Sequence, residues 1–336
     1  MEAVRLVVPS KGELEEPTLA FLAEAGLAVD RVSPRQYVAR IGAVEGLEVL
    51  FQRAWDIPEK VASGAADLGI TGYDVVAEQA ADAPDLVVAM PNLGYGRGDL
   101  VIAVPDVWVD VRSMRDLAEV AVEFRARGQV LRVVTRYPRL TQRFLLANGI
   151  GHFALVEAQG AVEAAPAVGY GDIVADLTSS GTTLRENRLK TVAGGTILRT
   201  EACLIANRRR LKANPDRLEV IRRFMELIEA RLRAAGYYSV TGNVPGDSAE
   251  TVAQAVISRP ELSGIEGPTV SPVYSKSGRV NGWYAVTVVV PVRQMQAAVD
   301  HLRRLGGSGI TVIPVKYVFE PGCEAFERLM KTLAED

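Results

Sequence analysis

The chain opens with an alternating apolar run, "AVRLVVP", that predicts a strand. The next stretch, "SKGELEEPTLAFLAEAGL", sets Leu14, Leu19, Leu22 and Ala25 on one side of a helix that ends near Gly26. The alternation then repeats. "LEVLFQRA" at 47–54 predicts a second strand, and "DIPEKVASGA" a short helix started by Asp56 with Pro58 in its first turn. "ADLGITG" predicts a third, buried strand and "YDVVAEQAA" a third helix. Strand and helix in this order predict an α/β domain with a mainly parallel sheet.

"DLVVAMPNLGYGRGDLVIAVP" breaks the rhythm with two strand-like runs around a glycine-rich loop, the way into a second lobe. That lobe holds "LRVVTRYPRLTQRFLLANGI", read as strand, loop and helix, and the strand "DIVADLTSS". Two strands in "KTVAGGTILRTEACLIAN" follow, then a helix from Pro215 to about Ala235 with Leu218, Ile221, Phe224, Met225, Ile228 and Leu232 as its apolar stripe. From about 237 the order becomes β-α-β-β-α-β, that of a ferredoxin-like module, with "EPGCEAFERLMKTLAED" adding a short amphipathic helix.

Composition narrows the class. The chain has 336 residues, enough for two or three domains, and 48% hydrophobic with 24% charged residues is that of a globular protein. Apolar runs such as "AVTVVVPV" fall far short of the roughly 20 residues that span a bilayer. The N-terminus has no signal-peptide pattern, and a cytoplasmic protein without membrane partner is expected. A net charge of −3 gives no general case for nucleic acid. Cys203 and Cys323 are too few for a disulfide framework, and Cys203 reads as a small buried strand residue. His152 and His301, the two histidines, sit in a turn and on a helix, without the neighbours a zinc hydrolase or Ser-His-Asp enzyme needs.

The richest chemistry lies in "GDIVADLTSSGTTLREN", residues 171–187. Thr178, Ser179, Ser180, Gly181, Thr182 and Thr183 form a hydroxyl-rich turn between a strand and a helix, where backbone N–H groups can cradle a phosphate. A polar helix cap accounts for the composition equally well. Asp172 and Asp176 are read at the strand's C-terminal end, suited to ribose hydroxyls or hydrated magnesium. Lys11 and Arg53 follow the first two strands, on the edge where parallel sheets bind ligands, and Arg136 and Arg139 repeat that placement in the middle lobe. Taken singly, each cation reads as a surface residue, and Arg143 reads as solvated.

These segments together resemble the long form of the ATP phosphoribosyltransferase family, the first enzyme of histidine biosynthesis. "VEAAPAVGYGDIVADLTSSGTTLRENRL" at 162–189 is similar to the family signature. "VPSKG", "DLGITGYDVV", "TRYPRLTQRFL" and the C-terminal "GPTVSPVY" and "LRRLGGSGITVIPVKYVF" resemble its other motifs in order. Glu13 stands where many members have a basic or small polar residue, Gly171 replaces a usual alanine, and the stretches 243–266 and beyond Phe319 are long.

The resemblance implies a two-lobed core like a type II periplasmic binding protein, with a C-terminal ferredoxin-like, ACT-like regulatory domain. Its boundaries are expected at 1–92 with 177–235 for lobe I, 93–176 for lobe II and 236–336 for the regulatory domain. It implies a pentosyltransferase that moves the phosphoribosyl group of phosphoribosyl pyrophosphate (PRPP) to N1 of ATP, releasing pyrophosphate, with magnesium as cofactor. PRPP would be held by Thr178 to Thr183 and Glu163, with Asp176, Asp172, Lys11 and Arg53 in the catalytic centre and the metal carried by pyrophosphate beside Asp172 and Asp176. Arg136 and Arg139 would meet the ATP triphosphate. Histidine would inhibit through the C-terminal domain, with Thr269 and Ser271 as its candidate contacts although the residues alone read as a simple strand start, in a homodimer or hexamer. Rival expectations are a two-lobed small-molecule binding protein and a phosphoribosyltransferase with another acceptor.

Overall fold

The computed structural model describes residues 3–335 apart from 32, 34, 35, 159, 276 and 277. It divides into two compact units, Met1–Glu226 with Cys323–Asp336, and Leu227–Gly322.

In the first unit the chain lays down β1 (Val4–Pro9), β2 (Val29–Asp30), β3 (Val38–Ile41), β4 (Leu47–Gln52), β5 (Leu68–Gly72) and β6 (Leu86–Met90). It crosses to form β7 (Gly98–Pro105), β8 (Leu131–Thr135), β9 (Phe153–Glu157), β10 (Ile173–Thr178) and β11 (Leu189–Thr200), then returns as β12 (Ala202–Asn207). The helices are α1 (Glu15–Glu24), α2 (Ile57–Ala62), α3 (Tyr73–Gln79), α4 (Met114–Ala126), α5 (Pro138–Ala147), α6 (Ala165–Val168), α7 (Thr182–Glu186) and α8 (Arg208–Ala213). After them α9 (Pro215–Ala234) leads into the second unit.

Two sheets result, with orders β2-β3-β4-β1-β5-β12-β6 and β11-β7-β10-β8-β9. β1 runs parallel to β4 and β5, whereas β12 is antiparallel to β5 and β6. Likewise β8 is parallel to β9 and β10, and β7 is antiparallel to β10 and β11. Each lobe is thus completed by a strand that follows a crossing of the chain, the topology of a type II periplasmic-binding-protein core. The small strands β2 and β3 on one flank of the first sheet are absent from the sequence reading, because β2 has only two residues and β3 alternates exposed and buried positions too briefly to stand out.

The expected second crossing near 177 is corrected. β11 stays in the second sheet, pairing with β7 from Leu189 opposite Pro105 to Thr200 opposite Gly98, so the chain returns only between Thr200 and Ala202. Its register shifts between Thr191 and Thr196, around Gly194 and Gly195, which breaks one long strand into pieces in the apolar pattern. The hydroxyl turn and α7 therefore belong to lobe II.

The second unit contains β13 (Tyr237–Pro245), α10 (Ala249–Ile257), β14 (Thr269–Ser275), β15 (Gly278–Pro291), α11 (Val292–Arg304) and β16 (Ser308–Pro314). Its antiparallel sheet has the order β14-β15-β13-β16, the ferredoxin-like arrangement expected from the sequence. Val240, Val244, Val286, Val288 and Val290 pack with Val252 and Val256 of α10 and Ala298, Val299 and Leu302 of α11. The alternate residues form a row of threonines in register across all four strands, Thr269 to Thr287 to Thr241 to Thr311. The last helix, α12 (Glu324–Ala334), corrects the boundary drawn at 236–336. It belongs to the first unit, where Ala325, Leu329 and Leu333 are buried and Arg208 donates to the Glu335 carbonyl.

Candidate functional site

β10 places the central carboxylate. Ile173 and Ala175 point into the core shared with α4 and α5, while Val174 faces Val162, Ala165 and Leu184 on the other side of the sheet. Strand periodicity puts Asp176 and Thr178 on the same side as Val174. The turn that follows is tied by its own groups: the Gly181 N–H donates to Thr178 Oγ1 at 2.9 Å and Ser180 Oγ donates to Thr182 Oγ1 at 2.9 Å. Gly181 has φ of 70°, a left-handed conformation that a side chain rarely adopts. Arg185 closes the loop by donating to the Ser180 carbonyl and to Thr182 Oγ1. Ser179, Ser180, Thr182 and Thr183 are exposed, and α7 behind them is only five residues long. The concavity therefore comes from hydroxyls and turn N–H groups more than from a helix dipole.

Asp176 is half-buried, and its Oδ1 accepts from the Leu177 N–H at 2.9 Å. Burial pushes its carboxyl up to about 6; the Leu177 N–H and Arg136 pull the other way, and the negative charges of Glu163 and Glu13 add to the rise. Glu163 and Arg136 from lobe II and Glu13 from lobe I thus lie near enough for their charges to act on one carboxylate. Lys11 and Arg53, at the ends of β1 and β4, are exposed and form no ion pair among the described residues. Glu163 follows Ala161, whose φ of 49° is unusual for a residue with a side chain.

Two expected site residues are corrected. Asp172 lies before the first residue of β10, at the opposite end from the turn, and it is engaged by Arg132. Arg132 Nη2 donates to its Oδ1 at 2.8 Å, and the Arg132 backbone N–H to Oδ2 at 2.8 Å. Four residue steps along the strand set Asp176 roughly 13 Å from Asp172, too far to share a ribose. Arg139 is turned toward lobe I, with Nη2 on Asp82 at 2.5 Å and Nη1 on the Glu78 carbonyl. Its backbone N–H and that of Leu140 both donate to the buried Glu78 carboxylate, at 2.8 and 3.0 Å. The α5 N-terminus therefore holds a protein carboxylate where a triphosphate was expected.

The β8–α5 turn explains why Arg136 and Arg139 part company. Buried Thr135 accepts the Tyr137 N–H at 2.9 Å and meets Thr141 at 3.3 Å, and Pro138 starts the helix. Arg136 is left on the exposed side, with its guanidinium carbon 5.2 Å from the centroid of the Trp55 ring. Tyr137 goes inward, edge-on to Trp55 at 5.4 Å, and donates to Asp74 Oδ2 at 2.6 Å. Burial, then the Asp74 carboxylate, drives its phenol well above the usual range. Thr200, at the crossing, donates to Asp74 Oδ1 at 2.9 Å. The two lobes are thus joined at Tyr137, Asp74 and Thr200. Sequence reasoning missed Trp55, Asp74, Glu78 and Tyr137; "DLGITGYDVV" marked the place of Asp74 but not its role.

Beside the turn lies a cleft of about 470 Å³ lined by both lobes, with Ser179, Tyr73, Arg97, Asp99, Arg199 and Glu201 among its walls. Asp176 is not part of this wall. Cys203 is fully buried and its thiol is pushed up to about 12 by burial, which removes it as a thiolate nucleophile. In the second unit, Thr269 and Ser271 are exposed on β14, two residues apart and hence on one face.

The family model for ATP phosphoribosyltransferase matches residues 53–230, just over half of the chain. The chain belongs to the ATP phosphoribosyltransferase family. A second model, the family's C-terminal domain, matches 234–317 and covers most of the second unit. The ATP phosphoribosyltransferase 2, chloroplastic, of Arabidopsis thaliana is 41% identical over 99% of this chain and 81% of its own length. The ATP phosphoribosyltransferase of Rhodopseudomonas palustris (strain BisB18) is 36% identical over 98% of both chains. That of Brucella melitensis biotype 2 is 46% identical over 69% of this chain and 98% of its own, so it matches a shorter relative of the family. An ATP phosphoribosyl transferase (HisG:HisZ) complex from Thermotoga maritima shares the fold, with a TM-score of 0.50 and 24% identity over 67% of this chain and 98% of that one.

Proposed function

We propose that the chain transfers the phosphoribosyl group of PRPP to N1 of ATP, giving N1-(5-phosphoribosyl)-ATP and pyrophosphate. The observation that carries this reading is a partly buried carboxylate, Asp176, on the strand that leads into the hydroxyl turn, in a chain of the ATP phosphoribosyltransferase family. The turn would hold the 5′-phosphate through the hydroxyls and N–H groups of Thr178 to Thr183. Asp176 would accept from the ribose hydroxyls and, as an anion, favour the positive charge that grows on the ring as pyrophosphate leaves. Glu163 adds to that negative field. Lys11 and Arg53 would take the departing pyrophosphate. No covalent nucleophile is required.

Among the described residues no group of three or more His, Cys, Asp or Glu side chains is arranged to hold a metal. A magnesium ion would instead arrive on the pyrophosphate, beside Asp176, with Asp172 engaged by Arg132. When bound, the ion neutralises charge on the leaving group.

Histidine inhibition through the exposed Thr269 and Ser271 face, and assembly into dimers or hexamers, are the corresponding proposals for the second unit. Among the described residues no helix is long and apolar enough to cross a membrane. The test is turnover of ATP and PRPP with magnesium and pyrophosphatase, followed by absorbance and by the mass of the product, with and without histidine. A product of ATP mass plus one phosphoribosyl group supports the reading. Unchanged ATP, from protein that binds PRPP, points to another acceptor.

A further inference from the structure

Trp55 carries no charge and no reactive group, yet it is where lobe I touches two residues of the β8–α5 turn. It sits half-buried in a single 3-10 turn, Ala54–Asp56, two positions after Arg53. That turn is pinned from β5, where buried Thr71 donates through Oγ1 to the Ala54 carbonyl at 2.9 Å. It is closed by the Asp56 N–H, which donates to the Arg53 carbonyl at 2.9 Å. From lobe II, buried Tyr137 meets the indole edge-on with ring centroids 5.4 Å apart, while its phenol is tied to Asp74 at 2.6 Å. Buried groups from both lobes thus set where the indole lies.

Arg136 lies over that ring, with its guanidinium carbon 5.2 Å from the centroid. It is exposed and makes no hydrogen bond or ion pair among the described residues, so the indole is the contact that locates it. The place matters because Glu163 and Glu13 add negative charge around Asp176, and Arg136 is the cation near enough to offset it. A donor that carries phosphate and pyrophosphate is repelled by such a set of carboxylates unless a cation is already there. An arginine held on an aromatic face keeps its N–H groups for phosphate oxygens. One that swings in water loses conformational freedom on binding, and one closed on Asp176 would occupy the carboxylate that the ribose needs.

We propose that Trp55 is a positioning residue for the phosphoribosyl donor: its indole, carried by lobe I, holds the Arg136 guanidinium of lobe II beside Asp176, ready for a phosphate group of the donor. The proposal rests on the phosphoribosyl-transfer reading for the identity of that donor. Because ring and guanidinium belong to different lobes, the cation is located only where the lobes meet. Trp55 acts through Arg136 and not by touching the donor, so its contribution vanishes when Arg136 is removed.

The test is a double-mutant cycle on the full chain. PRPP with magnesium, in the absence of ATP, is titrated into wild type, W55L, R136Q and W55L/R136Q, with W55F and W55F/R136Q as the conservative pair. W55L should weaken PRPP binding about five- to ten-fold, W55F about two- to three-fold and R136Q at least ten-fold. Either Trp55 substitution should add less than two-fold once Arg136 is gone. In steady state, KM for PRPP should rise in W55L with little change in kcat or in KM for ATP. Should W55L fail to melt cooperatively, the W55F pair carries the cycle, since phenylalanine keeps a ring against Tyr137. A Trp55 effect of equal size with and without Arg136 overturns the proposal, and so does a PRPP affinity within two-fold of wild type in R136Q. A change confined to KM for ATP also overturns it. Arginine-dependent PRPP binding that follows the cycle, in protein that forms no product from ATP, keeps the positioning role and sinks ATP as the acceptor. A wild type that binds no PRPP overturns both.

Discussion

Burial raises the Asp176 carboxyl to about 6 against an ordinary 3.8. Below pH 3.8 both folded and unfolded chains hold the proton, and the group favours the fold in full. As pH rises through about 6 the folded chain must carry a poorly solvated charge, and that stability is lost, at a cost of about 2–3 kcal/mol by neutral pH. Asp176→Asn should therefore raise the melting temperature at pH 7.5, by roughly 4–8 °C, while lowering turnover at least a hundred-fold. In wild type, donor affinity should fall as pH drops through 6, because the protonated acid no longer accepts from two ribose hydroxyls; a flat profile from pH 5 to 8 would show that Asp176 does not touch the donor. Gly171 gives a second residue-scale prediction. A Cβ there would meet Val134 Cγ2 on the neighbouring strand β8, which leaves room for glycine alone. Gly171→Ala should cost about 1–3 kcal/mol in denaturant unfolding, and Val134→Ala should relieve part of that cost. The turn and Asp176 were legible because hydroxyls, glycine and a strand end sit together in the chain. The engagement of Asp172 was not, because its partner Arg132 lies 40 positions away and is set by strand pairing.

At the scale of elements, α5 is held at its start by Glu78 of α3, which accepts two of its first N–H groups from across the lobes. A carboxylate in that position stabilises the helix end and fixes the turn that carries Arg136 and Tyr137. Glu78→Ala should lower stability by about 1–3 kcal/mol, read from denaturant midpoints, and should raise KM for both substrates by loosening that turn. Unchanged stability would mean that water replaces Glu78 without loss. Strand-to-helix order, the two lobes and the C-terminal ferredoxin-like module were readable from apolar periodicity alone. The extent of β11 was not, since its register shift interrupts the pattern, nor was the start of the long β15, whose first residues, 278–282, are mostly polar or glycine. The pairing of α3 with α5 left no local signature either: it depends on buried charge meeting a helix end from another lobe.

For the whole first unit, the account rests on two lobes that share residues at their crossings. Asp74 ties Thr200 to Tyr137, and Arg97 and Arg199 flank the same junction. The tail helix α12 also returns to this unit, so the boundary of the second unit falls before Cys323. Apolar pattern alone could identify α12 as amphipathic but not say which unit it would cover. The measurement that bears most directly on the central claim is calorimetric titration of PRPP with magnesium into wild type, Asp176→Asn and Thr182→Val, each checked for cooperative unfolding at or above the wild-type temperature. Binding to wild type that weakens at least ten-fold in both variants, with the fold retained, is the predicted result. Equal affinity in all three proteins would contradict the placement of the donor at the hydroxyl turn.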